Sequence, residues 1–284
     1  MVAIIQDVSE MQRAAESLRT AGKRIGIVPT MGYLHEGHLS LIRTAKHHAD
    51  VVVTTIFVNP KQFGPAEDYE RYPRDLSNDS LLASSAGTDY IFAPESKSMY
   101  PNEYLTDVHI ERYSSILEGR SRPGHFQGVA TVVTKLLNIT KPHVAVFGQK
   151  DAQQAVVIRQ MLRDLNYDIE LVIAPTVREA DGLALSSRNS YLSTEERKQA
   201  PVLFQSLNLA EQRVREGVRV SVRIINEMSE FITNRSAGVI DYISIADSNT
   251  LEELSAIEGQ RSVLISLAVR FGATRLIDNQ IVKV

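Results

Sequence analysis

The stretch PTMGYLHEGHLSL, residues 29–41, sets two histidines three apart around a glycine, where a strand pattern gives way to a helix pattern. An i to i+3 spacing puts His35 and His38 on one side of a first helical turn. The unpaired N–H groups of such a turn attract anions. Two imidazoles add directed donors, and Gly37 removes a side chain that would keep a purine off the backbone. A phosphate is the expected guest, and an ATP α/β-phosphate in particular. Two plainer readings compete: polar decoration of a helix start, and a histidine metal pair, which lacks an evident third ligand nearby.

Two further segments carry cations. In FGQKDAQQ (147–154), Lys150 stands at a helix start, where the dipole disfavours a cation unless an anion is bound. It suits neutralisation of phosphate charge, while Asp151 suits either a ribose hydroxyl or helix capping. In ALSSRNSYLS (184–193), Ser186 and Ser187 offer hydroxyls and Arg188 offers a planar fork for phosphate oxygens. A solvated polar loop is the alternative there.

These residues need a scaffold, and the first 175 positions supply alternating helix and strand signals. Strands are expected at 24–30 (the first of the sheet), 50–59, 89–94, 143–148 and 168–175. Helices are expected at 7–20, 38–49, 75–86, 128–139 and 152–165. Continuous Val/Ile runs predict strands covered on both faces. The expectation is an α/β fold with a Rossmann-like doubly wound parallel sheet, where ligands sit beyond the carboxyl ends of strands at the switch point. After Pro175, one helical stretch runs from the capping-box pair Ser193 and Glu196 to about residue 216, and another over 222–235. Strands follow at 241–247, 262–271 and 274–284. That order predicts a smaller C-terminal α+β domain, with the division at 1–176 and 177–284.

Composition narrows the class. The 284 residues include no cysteine, which excludes a disulfide framework and a thiolate nucleophile. A net charge of −3 gives no general attraction for nucleic acid. The opening MVAIIQDVSEMQ lacks the basic and apolar regions of a secretory signal, and no apolar run approaches the ~20 residues of a membrane span. A cytoplasmic protein with neither membrane nor nucleic-acid partner is expected.

Together the HxGH and Ser/Arg segments resemble the nucleotidyltransferase superfamily, which includes class I aminoacyl-tRNA synthetases. Six segments in order, PTMGYLHEGHLSL, FVNPKQFGP, YPRDL, EGRSRPGHFQGVATVV, FGQKDAQQ and LSSRNSYLS, narrow the resemblance to the pantoate–β-alanine ligase family over essentially the whole chain. The resemblance implies ATP-dependent ligation of pantoate and β-alanine to pantothenate through pantoyl adenylate, with release of pyrophosphate and AMP. It implies an ATP site built from Met31, Gly32, Tyr33, Leu34, His35, Glu36, Gly37 and His38. Gly148, Gln149, Lys150, Asp151, Val177, Leu185, Ser186, Ser187 and Arg188 would complete that site. Gln62 and Gln154 would hold pantoate, and Gln62 would also meet β-alanine. A glutamine amide suits a hydroxyacid because it both donates and accepts. His38 is the first choice for transition-state stabilisation, with His35, Lys150 and Arg188 sharing the charge.

Mg²⁺ would arrive bound to ATP, with no protein ligand assigned. Asp79 is a candidate contact, beside Asn78 where some relatives carry an acidic pair. Arg122 and His125 stand outside the catalytic set, as residues that approach the acceptor or organise a neighbouring loop. The resemblance also implies a homodimer and a lid role for 177–284. Three rivals remain. A transferase of AMP to a phosphorylated acceptor would need further cations, and a tRNA synthetase would need a tRNA-binding surface. A regulatory module would bind ATP without pantoate-dependent pyrophosphate release.

Overall fold

The apolar segments expected as strands in the first 175 residues form a parallel sheet that has one strand more than the pattern suggested. The computed structural model describes residues 2–65, 67–259 and 261–284. The chain divides into two compact units, residues 1–148 with 153–175, and residues 149–152 with 176–284.

In the first unit the strands are β1 (Ala3–Ile5), β2 (Ile25–Thr30), β3 (Val51–Ile56), β4 (Tyr90–Phe92), β5 (Val144–Gly148) and β6 (Glu170–Ala174). All neighbours are parallel, in the order β1-β4-β3-β2-β5-β6. The helices are α1 (Val8–Thr20), α2 (Glu36–His48), α3 (Leu76–Ala86), α4 (Ser96–Met99), α5 (Glu118–Ser121), α6 (His125–Thr140) and α7 (Ala152–Asp164).

Strand periodicity sorts the side chains between two layers. Ile25, Ile27, Val53, Phe92, Ala145 and Phe147 face one core with residues of α1, α6 and α7. Their alternates Val28, Val52, Ile91, Val144 and Val146 face a second core with α2 and α3. Burial on both faces explains why these strands read as unbroken apolar runs. The sheet is doubly wound, and the chain reverses its direction of growth between β2 and β5. Pairing there is confined to Gly26 with Val144 and Ile27 with Ala145, whereas β2 stays paired to β3 as far as Thr30. Pro29, which has no N–H to donate, lies in the part of β2 left unpaired to β5. The carboxyl ends of β2 and β5 thus flank the switch point.

The second unit holds α8 (Thr194–Gln199), α9 (Val202–Arg215) and α10 (Ser221–Thr233), then β7 (Val239–Asp247), β8 (Ser262–Phe271) and β9 (Thr274–Lys283). The three strands form an antiparallel sheet in the order β7-β8-β9. Leu203, Leu207, Ala210, Ile224 and Met228 of the helices pack with Ile245, Ile265 and Leu267 of the sheet.

Three expectations change. The HxGH segment follows the second strand rather than the first, because β1, only three residues long, precedes it. Residues 193–216 form two helices, not one: Ser193 and Glu196 do cap each other reciprocally, but the first helix ends at Gln199 and Pro201 caps the next. The interruption follows from the missing proline N–H. Finally, the helix expected from 128 starts at His125, after Gly124 at φ +82°.

Candidate active site

His35 is the N-cap of α2, and His38 is the third residue of that helix. The Gly37 N–H donates to His35 Nδ1 at 3.1 Å, and the His35 N–H donates to His38 Nδ1 at 3.3 Å. The two rings stand 4.1 Å apart between centroids. Because each Nδ1 accepts a backbone proton, each neutral ring carries its own proton on Nε2. Local capping therefore sets both tautomers and places an Nε2–H donor on each of two adjacent rings.

The sequence suggested that unpaired backbone N–H groups at this helix start would greet the anion, and here the structure differs. The Gly32 N–H donates to Thr30 Oγ1 at 3.2 Å, and those of Tyr33 and Leu34 donate to the Asp79 carboxylate at 2.9 and 2.7 Å. The His38 N–H reaches the His35 carbonyl at 2.8 Å. Intramolecular acceptors thus occupy most of the turn's backbone donors, and the imidazoles supply directed donors of their own. Gly32 at φ +84° and Tyr33 at φ +51° take left-handed conformations that aim successive N–H groups at Asp79. A Cβ at Gly32 would lie 2.9 Å from Asp79 Oδ2. Burial raises the Asp79 pKa above the usual carboxylate range, and the two N–H bonds only partly offset that. The carboxylate that was a candidate ion contact is buried and braces the HxGH turn.

Gln62 closes a short 3-10 turn, Pro60–Gln62, after β3. Its Oε1 accepts from Asn59 Nδ2 at 3.0 Å, and its Nε2 lies 3.2 Å from Met31 Sδ, which ties it to the end of β2. Asn59 also donates to the Gly128 carbonyl at 3.0 Å and accepts from the Tyr100 hydroxyl at 2.8 Å. The α6 backbone comes so close that a Cβ at Gly128 would lie 2.3 Å from the Lys61 carbonyl oxygen. His125 Nδ1 donates to the Gln62 carbonyl at 2.9 Å, and Arg122 lies 3.0 Å from its Nε2. Burial, then the Arg122 charge, brings the His125 pKa down to about 4, so the ring is neutral at pH 7. Arg122 in turn grips Glu67 with two 2.7 Å bonds. Burial pushes the Glu67 carboxyl up, but these bonds and the Arg122 charge outweigh it and leave the pKa lowered. Of the two roles open to Arg122 and His125, the structure shows the organisation of a loop.

Gln154 is half-buried on α7, next to Gln153, which is buried. Gln153 accepts from the Glu118 N–H and donates to the carbonyls of Tyr113 and Ile116. Gly148 ends β5, and Gln149–Asp151 form a 3-10 turn within the second unit. Lys150 Nζ stands 3.7 Å from Asp151.

Val177 and Leu185 face each other across a hairpin, with the Leu185 N–H donating to the Val177 carbonyl at 3.0 Å. Ser186 caps the turn Ser187–Tyr191 by accepting from the Arg188 N–H at 3.3 Å. The first unit thus brings the HxGH turn and Gln62 together, and the second carries Lys150 and Arg188 on short 3-10 turns. Glu36, within the HxGH segment, pairs with Arg43 on the exposed side of α2. Sequence reading passed over Asn59, although Asn-Pro is a recognisable turn opening, and over Asp278 and Asn279, which no local pattern marks.

Among the described residues, no group of three or more His, Asp or Glu is placed to hold a metal ion, and no helix is long and apolar enough to cross a membrane.

The sequence matches the Pantoate-beta-alanine ligase family over residues 3–281. It is 53% identical over 280 residues to the pantothenate synthetase of Caldicellulosiruptor bescii, covering 99% of each chain. Identity to the Thermotoga petrophila pantothenate synthetase is 54% over 278 residues, covering 98% of this chain and 99% of the other. The crystal structure of pantothenate synthetase from Thermus thermophilus superposes with a TM-score of 0.91 at 44% identity, covering 98% of this chain and 99% of that one. The pantoate-β-alanine ligase of Francisella tularensis, solved with beta-gamma ATP and β-alanine, gives 0.80 at 34% identity, covering 99% and 97%. With its two-unit architecture and the HxGH turn at the switch point of its sheet, this chain belongs to the pantoate–β-alanine ligase family.

Proposed function

We propose that the chain joins pantoate to β-alanine with ATP through a pantoyl adenylate, and that His35 and His38 stabilise the first step. The observation that carries this is the reciprocal capping of the two histidines, which sets an Nε2–H donor on each ring at the carboxyl end of β2. In the first step a pantoate carboxylate oxygen bonds to the α-phosphorus of ATP as the bond to the β-phosphate oxygen breaks, and pyrophosphate leaves. Charge grows on phosphate oxygens, and preorganised donors stabilise it without a protein nucleophile. His38 is assigned the central donor role, with His35, Lys150 and Arg188 sharing the charge. In the second step the β-alanine amine bonds to the activated carbonyl carbon, the bond to AMP breaks, and the nitrogen gives up a proton.

Met31 through His38, Gly148 through Asp151, Val177 and Leu185 through Arg188 are assigned to ATP. Gln62 and Gln154 are assigned to pantoate, and Gln62 also to β-alanine. The network around Gln62 supports its part, because a side chain pinned through both amide atoms is a preorganised one. Residues 1–176 are assigned as the ATP- and pantoate-binding domain and 177–284 as the lid. Mg²⁺ is assigned to the nucleotide, whose phosphates hold it and whose charge it neutralises. A cytoplasmic homodimer completes the reading.

Pyrophosphate release from ATP tests the reading. It should require pantoate, whereas AMP and pantothenate release should additionally require β-alanine. Adenylate retained in the final product would indicate an AMP-transferring enzyme. ATP binding with no pantoate-dependent pyrophosphate would indicate a regulatory module.

A further inference from the structure

Strand β9 carries two consecutive polar side chains, Asp278 and Asn279, that are only 3% and 5% exposed. Successive strand residues point to opposite faces of a sheet, so each serves a different neighbour. Asn279 Nδ2 donates to the Gln149 carbonyl at 3.0 Å and to the Lys150 carbonyl at 2.8 Å, and its Oδ1 accepts from Gln149 Nε2 at 2.9 Å. Those two carbonyls belong to the peptide units immediately before and after Lys150. Fixing both peptide planes leaves the Lys150 backbone little freedom, and so sets the direction in which its side chain leaves the chain.

We infer that Asn279 is a positioning residue for Lys150 and acts on adenylate formation through it. The inference rests on the role given to Lys150 under the proposed function. Asparagine is a poor strand former, and burying an amide is costly unless its bonds are met. An apolar residue would serve the strand better, so the amide at this position answers to the 149–151 turn.

The neighbouring residue ties down the other cationic segment. Asp278 receives two bonds from Arg178, at 2.6 and 3.0 Å, and one from the Asn279 N–H at 2.8 Å. Arg178 also donates to the Gly182 carbonyl at 3.1 Å and lies 3.9 Å over the Phe204 ring. It thereby braces the turn of the hairpin, paired at Arg178 and Ala184, that leads to Leu185 and Arg188. Adjacent residues of one strand thus secure the turn of Lys150 and the approach to Arg188.

The test is a double-mutant cycle on single-turnover pantoyl adenylate formation, using Asn279→Ala, Lys150→Ala and the double variant in the full-length protein. Asn279→Ala alone should slow this step about 10- to 100-fold. In the Lys150→Ala background it should add less than about a twofold loss, because coupled residues are non-additive. An undiminished further loss in that background would overturn the inference, as would a normal rate for Asn279→Ala alone. A normal rate for Lys150→Ala by itself would instead remove the role given to Lys150, and the two failures are thereby told apart. Should Asn279→Ala fail to fold, Asn279→Gln and Asn279→Asp carry the same cycle. The first keeps the amide on a longer arm, and the second faces two carbonyls with a carboxylate that cannot donate.

Discussion

The backbone N–H of Leu34 donates to the carboxylate of Asp79 at 2.7 Å across 45 residues of sequence, and the Tyr33 N–H reaches the other oxygen at 2.9 Å. The turn that carries the two histidines is therefore held from α3. Asp79→Ala should destabilise the protein by about 1–3 kcal/mol in urea unfolding, the usual cost of leaving buried donors unmet. Asp79→Asn should be damaged as well, since its NH₂ would oppose one of the two N–H groups. An asparagine variant as stable as the parent, with unchanged ATP affinity, would show that the carboxylate does not brace the turn.

His38→Ala removes an Nε2–H donor and a capping acceptor together, so we pair it with His38→Asn. Asparagine at this position can still accept from the His35 N–H but offers no donor where Nε2 stood. Both variants should slow pantoyl adenylate formation by ~10²–10³-fold, and only the alanine should lose stability. Near-parental turnover of the asparagine variant at saturating ATP and pantoate would mean that His38 serves the helix alone.

Gln62→Ala should raise the pantoate KM roughly 5- to 150-fold, which corresponds to about 1–3 kcal/mol, with little change in ATP affinity. Gly128→Ala should act in the same direction from a distance, because its Cβ would press on the Lys61 carbonyl and displace the turn that carries Gln62. Steady-state kinetics with each substrate varied in turn distinguish this from general damage, which would lower kcat and ATP affinity as well.

Arg188→Lys keeps the charge but loses the two-pronged donor. Adenylate formation should fall steeply. The second half-reaction, started from preformed pantoyl adenylate and β-alanine, should stay near the parental rate because no triphosphate remains to be held. Equal losses in the two half-reactions would assign Arg188 to folding instead.

His125 gives a pH signature. Its pKa of about 4 in the folded protein lies below the 6.5 of an unperturbed histidine. Between those values the unfolded chain binds a proton that the folded chain does not, so stability rises with pH. The contribution is complete above pH 6.5 and is lost as pH falls to about 4. The difference of roughly 2.5 units amounts to on the order of 3 kcal/mol. Unfolding free energies measured from pH 4 to 7 should show this slope in the parent and lose most of it in His125→Asn. Identical slopes would mean that His125 is not held neutral.

The long sheet strands were legible because double-sided burial writes Val and Ile at every position, as in Val51–Val53. The strand at Ala3–Ile5 was not, since three residues are too few to show a period. The His35–His38 pair stood out by its own spacing, and its capping follows from that spacing. What the sequence does not disclose are contacts between chain segments that meet only in three dimensions. Asp79 lies 45 residues from the turn it braces, and Asn279 lies 130 from Gln149. Neither has a neighbour in sequence that betrays the contact. The break at Pro201 is written in the proline itself, whose missing N–H cannot continue a helix, but helical patterning on either side of it reads as one run.

The order of the central sheet also dictates a sequence of events during synthesis. Gly26 and Ile27 of β2 find β3 about 25 residues later, but their partners on the other edge, Val144 and Ala145, come 118 residues downstream. At ribosomal rates of roughly 5–20 residues per second, that edge waits on the order of ten seconds for its neighbour. An unpaired apolar strand edge is where one chain adheres to another. The strand that delivers the two histidines is therefore the one most open to misassociation while the chain is being made, and recovery of active protein should respond most strongly to conditions that slow or shield that interval.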